Sequence, residues 1–189
     1  MVMDRALQII DRKSPLFPAQ PVQRLGTEAP VRLWAVGSLD LLSVPKTALF
    51  CSKTCPGHAI LKAMEQAQNW RGEGRCIISG FHSPIEKECL DILLRGVQPI
   101  IICPARGLEG MRLPKTWQEG IAAGRISLLS PFDFSQRRFT GALSEQRNRL
   151  VAALADKIYF VHVTPGGKIA QLTEEVTRWS AMGSGPDRT

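Results

Sequence analysis

Long apolar runs are missing from this chain of 189 residues. No window approaches the roughly 20 apolar residues that a membrane-spanning helix needs. At the start, Asp4, Arg5, Asp11 and Arg12 interrupt any apolar stretch, so a secretory signal is not expected either. The expectation is a cytoplasmic protein with no membrane contact. Cysteine is odd in number: Cys51, Cys55, Cys76, Cys89 and Cys103. With no CxxC or HxxxH spacing, no metal site is expected, although Cys51, Cys55, His82 and Cys103 lie where strand ends could meet. Cysteines in apolar runs read as reduced core thiols. A GxGxxG turn after the first strand, a Walker A loop, a nucleophile elbow and a zinc-protease helix are all absent. These absences argue against a dinucleotide-binding dehydrogenase, a P-loop ATPase, a serine hydrolase and a zincin. No internal repeat is visible.

What is present is a basic chain with an ordinary core. Hydrophobic residues make up 44% and charged residues 22%, enough for one α/β domain. Lys and Arg number 24 against 17 acids, a net charge of +7. That excess favours polyanions through steering and counterion release.

Short apolar runs alternate with helical patterns. The runs are Leu33–Val36, Ala48–Cys51, Cys76–Ser79, Pro99–Cys103, Ile126–Leu129 and Ile158–Val163. Apolar residues on consecutive positions suit strands buried on both faces of a parallel sheet. Between them, Ile60, Leu61, Met64, Ala67 and Trp70 predict one helix face after Pro56. Ile85, Cys89, Leu93 and Leu94 predict a second, opened by the capping box Ser83-Pro84-Ile85-Glu86. Ile169, Leu172, Val176 and Trp179 line a third. The alternation predicts a doubly wound, mainly parallel, Rossmann-like α/β sheet with helices on both faces. Prolines 15, 18, 21 and 30 mark residues 1–30 as an irregular leader. Residues 31–182 form the single domain, and 183–189 read as a disordered tail.

In such a sheet ligands sit beyond the carboxyl ends of the strands. The richest segment is Phe132–Val163. It holds Phe132, Phe134 and Phe139, the pairs Arg137-Arg138 and Arg147-Asn148-Arg149, a short helix Leu150–Ala155 and a strand Lys157–Val163. Arginine forks grip phosphate bidentately, and phenylalanine faces stack on unpaired bases. Candidate phosphate-binding positions are Ser52, Lys53 and Thr54; Ser79, Gly80, Phe81 and His82; Arg138, Arg147, Asn148 and Arg149; and Gly166, Gly167 and Lys168. A flexible surface turn accounts equally for Gly166-Gly167-Lys168. A hydrogen-bonding turn residue accounts for His82, so no catalytic residue is assigned.

Four blocks, in order and spacing, resemble the DNA-processing protein A family (DprA, also called Smf) over roughly residues 31–176. Leu33-Trp34-Ala35-Val36-Gly37-Ser38-Leu39 with Leu41-Leu42 is similar to L-Y-x-x-G-[DN]-x-x-L-L. Leu49-Phe50-Cys51-Ser52-Lys53 resembles the V-G-S-R turn, and Ile77-Ile78-Ser79-Gly80 with Ile85-Glu86 resembles S-G-x-A-x-G-I-D. Arg147 to Asp156 lies close to R-N-R-I-I-A-G-L-S-D. The resemblance implies an extended Rossmann-like, stand-alone domain that binds single-stranded DNA without chemistry of its own. It also implies a homodimer that passes the strand to the RecA recombinase, in DNA processing, recombination or uptake. By that likeness Lys53 stands for a phosphate-contacting arginine, Arg147 and Arg149 furnish a basic pocket, Asn148 organises the turn, and Gly166-Gly167-Lys168 replace an S-G-S-L turn. The chain departs from the family at Cys51, where glycine is usual, and at Phe81-His82-Ser83-Pro84.

Two other readings use the same phosphate cradle. One is a sensor of a nucleotide-derived small molecule. The other is a phosphoribohydrolase of the LOG type, which needs P-G-G-x-G-T-x-x-E. Here Pro165-Gly166-Gly167 is followed by Ile169, Ala170 and Thr173 where Gly, Thr and Glu belong. Without that glutamate the enzyme reading loses its charge-stabilising group. No cofactor is implied by any of the motifs.

Overall fold

Consecutive apolar residues become strands here because each alternate side chain finds a helical layer on its own side. The structure is a computed structural model that describes residues 6–183 and 185–188. In chain order the elements are β1 (Gln8–Asp11), α1 (Ala19–Leu25), β2 (Arg32–Gly37), β3 (Lys46–Phe50), α2 (Gly57–Glu73), β4 (Cys76–Ser79), α3 (Pro84–Leu94) and β5 (Ile100–Ile102). Then follow α4 (Lys115–Ala122), β6 (Ile126–Ser130), α5 (Gly141–Leu154), β7 (Lys157–Phe160), α6 (Lys168–Ala181) and β8 (Asp187–Arg188). The strands form one sheet in the order β1-β2-β6-β5-β4-β3-β7-β8.

This is the doubly wound α/β sheet with helices on both faces. Ala48, Phe50, Ile78, Ile101 and Ile158 pack with residues of α5 and α6. Leu49, Ile77, Ile100 and Ile102 pack with Ala63, Ala67 and Trp70 of α2 and with Ile85, Cys89 and Leu93 of α3. The period of two is that of a pleated strand. Strands β3, β4, β5, β6 and β7 pair in parallel, so their carboxyl ends share one edge. The chain steps β3-β4-β5-β6 in one direction and then returns to β7 on the far side of β3. The crevice between the ends of β3 and β7 is therefore where ligands bind in open α/β sheets.

Several expectations need correction. The leader is not irregular over its described part: β1 pairs antiparallel with β2, and α1 packs on α5. Pro18 stands at the N-cap of α1 and Pro21 in its first turn, where a missing N–H costs little. Strand β2 runs antiparallel to β6, so that side of the sheet is mixed. In the tail, Asp187 and Arg188 pair in parallel with β7, although Ser184 and Thr189 lie outside the described residues. Strand β7 stops at Phe160, short of Val163. Helix α5 starts at Gly141, capped by the Thr140 hydroxyl on the Leu143 amide, so Arg147 to Arg149 are helical. In α2 the buried stripe is Ala59, Ala63, Ala67 and Trp70, and Leu61 is 64% exposed. By contrast, Ile169, Leu172, Val176 and Trp179 are all buried, and the Ser83–Glu86 capping box is formed.

Burial pushes the thiols of Cys76, Cys89 and Cys103 up to about 12, which leaves them protonated core residues. No helix among the described residues is long and apolar enough to cross a membrane.

The N-terminal segment is tied in by Arg24, whose Nη1 donates to the carbonyls of Ala153 (2.9 Å) and Ala155 (2.6 Å) at the end of α5. These carbonyls are among those a helix leaves unpaired at its C-terminus. Replacing Arg24 by Ala is expected to lower unfolding free energy by about 1–2 kcal/mol. Urea titration followed by circular dichroism measures it.

Candidate functional site

The turn after β4 is built around a carboxylate. Glu86, in the first turn of α3, is buried and accepts three backbone amides: Cys51 N at 3.0 Å, His82 N at 2.8 Å and Ser83 N at 3.1 Å. It thus joins the end of β3 to the turn after β4. Ser79, fully buried, donates its hydroxyl to Leu49 O (2.8 Å) and accepts the Phe81 amide (3.1 Å). Under this tension Phe81 takes φ = 46°, in the left-handed region that a bulky residue rarely visits. Its ring is buried in the core with Leu49 and Ile85, so it offers no stacking face.

Gly80 is glycine for a steric reason. A Cβ built there would lie 1.6 Å from Arg147 Nη1, so the guanidinium passes directly beneath the turn. Arg147 is 3% exposed. Its Nη1 donates to Cys103 O (2.7 Å), Nη2 to Ser144 Oγ (3.2 Å) and Nε to Asn148 Oδ1 (2.8 Å). Burial lowers its pKa, opposed by the nearby Glu86 carboxylate. Uncompensated burial of such an ion costs several kcal/mol, whereas each hydrogen bond to it returns about 1.5–3. The three bonds fix Arg147 as a charged strut under the edge. Asn148 acts through Arg147, orienting it.

Arg149 points elsewhere. Two positions further along the same helix, it lies between Glu175 of α6 (2.7 Å) and Glu28 (2.7 Å). Those carboxylates raise its pKa, first Glu28 and then Glu175. The expected basic pocket therefore loses one arginine to an inter-helix clamp. Ser52 and Ser79 are likewise internal: Ser52 Oγ accepts the Thr164 amide (3.0 Å).

The remaining candidates gather at the β3–β7 crevice. Ser52 N donates to His162 O (3.1 Å), and the Thr54 and Thr164 hydroxyls lie 3.4 Å apart, so the two turns are in contact. Gly166 has φ = 71°, and Gly167 caps α6 through its backbone. Among the described residues no side chain caps the first turn of α6, a helix of 14 residues, so its leading amides at the positive end of the helix dipole have no side-chain partner. Lys53 is exposed and forms no ion pair among the described residues. Lys168 pairs with Glu145 at 2.8 Å on an exposed surface.

His82 stands beside them. Its imidazole stacks on Phe139 with centroids 4.3 Å apart and planes at 21°. Its pKa is lowered by partial burial, then by the positive fields of Arg147 and Lys87; Glu86 raises it and Lys53 lowers it further. Phe139 (49%) and Phe134 (61%) are exposed, but Phe132 is buried. Arg138 is exposed in the same loop, between β6 and α5. The edge thus joins Lys53, His82, Phe139, the α6 amides and a buried Arg147 charge. It is suited to an anion with a flat ring attached. The sequence does not reveal Glu86 as the organiser of the edge, which only its capping-box position hints at. Arg106 lies in the turn 103–107 after β5, one of the strand-end turns where a phosphate is expected, without being a candidate in its own right.

Replacing Gly80 by Ala should drive Arg147 from its seat and cost about 2–4 kcal/mol of stability. Chemical denaturation measures it.

Comparison with known proteins follows the same outline. Residues 8–168 match the family described as DNA recombination-mediator protein A. DNA processing protein A (DprA) from Streptococcus pneumoniae superposes with a TM-score of 0.73 at 21% identity, over 97% of this chain and 62% of that one. DNA processing protein A from Helicobacter pylori, described for its single-stranded DNA binding mode, superposes with a TM-score of 0.67 at 17% identity. That match covers 97% of this chain and 91% of the other. The chain therefore spans 62% of the pneumococcal protein's length. No curated protein matches by sequence.

Proposed function

Because the chain belongs to the DNA recombination-mediator protein A family, we propose that it binds single-stranded DNA at the carboxyl edge of its sheet, with no chemistry of its own. The observation that carries this reading is the β3–β7 crevice. There the turn carrying Lys53, which forms no ion pair among the described residues, touches through Thr54 and Thr164 the turn that opens α6, near the turn that Arg147 supports. Amides at a helix start bind phosphate oxygens without reading sequence. Phe139, held against His82, offers a face for an unpaired base. A duplex keeps its bases stacked inside and cannot use that face. The homodimer and the delivery of the strand to RecA belong to the same family reading, and neither is required for capture of a strand at this edge.

The test is fluorescence polarisation with a labelled oligothymidylate at two salt concentrations, with duplex and mononucleotide competitors. Lys53→Ala is expected to weaken binding five- to tenfold and to lower the salt slope by about 0.7, the value for one phosphate on a single strand. Arg149→Ala should leave affinity unchanged while lowering stability. Competition by mononucleotide as effective as by the oligonucleotide would replace this reading with a small-nucleotide sensor.

A pH dependence follows from His82. In the free protein partial burial first, and then the fields of Arg147, Lys87 and Lys53 against that of Glu86, favour the neutral imidazole and hold the His82 pKa below its ordinary 6.5. This contribution to stability is present above pH 6.5 and is lost as pH falls through the lowered folded value. A bound phosphate reverses the preference, because it stabilises the imidazolium. Binding therefore takes up a proton, and affinity should rise from pH 7.5 to 5.5. His82→Asn should flatten that rise in the same polarisation assay.

A further inference from the structure

Four buried polar atoms among the described residues lack a hydrogen-bond partner: Arg12 Nη2, Gln98 Oε1, Arg106 Nε and Arg125 Nη1. Three of them belong to side chains anchored by another atom. Arg12 Nε donates to Pro30 O, Gln98 Nε2 to Leu93 O, and Arg125 Nη2 to Leu94 O. Arg106 is different. Among the described residues its side chain forms neither a hydrogen bond nor an ion pair. A buried donor on a charged group left unmet costs more than an ordinary hydrogen bond contributes. Native proteins seldom keep such a group without a use.

The backbone around Arg106 is fixed. Ser130 Oγ donates to the Arg106 carbonyl at 2.7 Å, and the Gly107 amide donates to Gln136 O at 2.9 Å. A Cβ on Gly107 would stand 2.2 Å from the Asp133 carbonyl, so the two loops touch. Arg106 lies three residues beyond Cys103, whose carbonyl receives Arg147. It therefore belongs to the same edge as Lys53 and Gly80, on the strand next to β4. Neighbouring strands lie about 4.8 Å apart, so the ends of β3 and β5 are separated by about 10 Å. A mononucleotide phosphate seated at the β3–β7 crevice does not extend that far, but the backbone of an oligonucleotide does.

We propose that Arg106 grips a second backbone phosphate of the bound strand, across β4 from Lys53, and so makes this edge select oligonucleotides over mononucleotides. The proposal rests on the strand-binding reading above. The planar fork of arginine suits two phosphate oxygens at once and is itself preorganised for them.

The experiment is polarisation with labelled oligothymidylate, and with a strand of the same length containing guanine, at two salt concentrations. The proteins are the full chain, Arg106→Ala and Arg106→Lys, with thermal melting as the control for folding. Arg106→Ala is expected to bind both strands about tenfold more weakly, with a salt slope smaller by about 0.7. Arg106→Lys should keep the slope and recover only part of the affinity. Competition by a mononucleotide should not change in either variant. Equal affinity for the full chain and Arg106→Ala, with Lys53→Ala still weakened, would overturn the role of Arg106 and leave the strand-binding reading standing. Weakening confined to the guanine-containing strand would also overturn it, since it would make Arg106 a reader of bases. If the unaltered chain bound no oligonucleotide at all, the strand-binding reading itself would fall.

Discussion

The guanidinium of Arg147 fills the volume that a side chain at position 80 would need, and the carboxyl edge of the sheet around β4 is arranged about that contact. From below, Arg147 is held by the Cys103 carbonyl, the Ser144 hydroxyl and the Asn148 amide oxygen. From the side, Glu86 gathers the amides of Cys51, His82 and Ser83. A buried cation and a buried carboxylate thus stand close together, each satisfied mainly by neutral partners. Neither is free to move, because exposing or abandoning either would leave an uncompensated charge in the interior. The price is one obligatory glycine and one strained phenylalanine.

This arrangement divides the basic residues into two groups. Arg24, Arg147 and Arg149 serve the fold: a helix end, a turn and an inter-helix clamp. Lys53, Arg106 and Arg138 carry charge that no carboxylate among the described residues neutralises. A short array of unpaired cations on the rim of a low-dielectric body focuses its field outward.

Much of the fold was legible in the chain, for local reasons. The capping box at Ser83–Glu86 and the apolar stripe of α6 are set by residues three and four apart, and both formed as the spacing requires. The strands with consecutive apolar residues were recognisable for the same reason. Features fixed by distant partners were not. Strand β1 reads as leader because its pairing with β2 lies more than twenty residues ahead. Helix α5 was shortened because its first two turns carry few apolar residues. The role of Arg149 was invisible since its carboxylates lie 26 and 121 residues away. The candidate site was legible as a set of turns, but which of its hydroxyls and amides face inward depends on Glu86. No spacing rule shows that one carboxylate will take three amides.

The strain at Phe81 has a consequence for how a ligand is received. Its left-handed backbone is locked by the Ser79 hydroxyl beneath and by its own ring in the core. A turn already frozen in this way has little conformational entropy left to surrender when something settles on it. Preorganisation of this kind raises affinity by cutting the cost of ordering rather than by adding contacts. In the proposed complex the strand, not the protein, would supply most of the ordering.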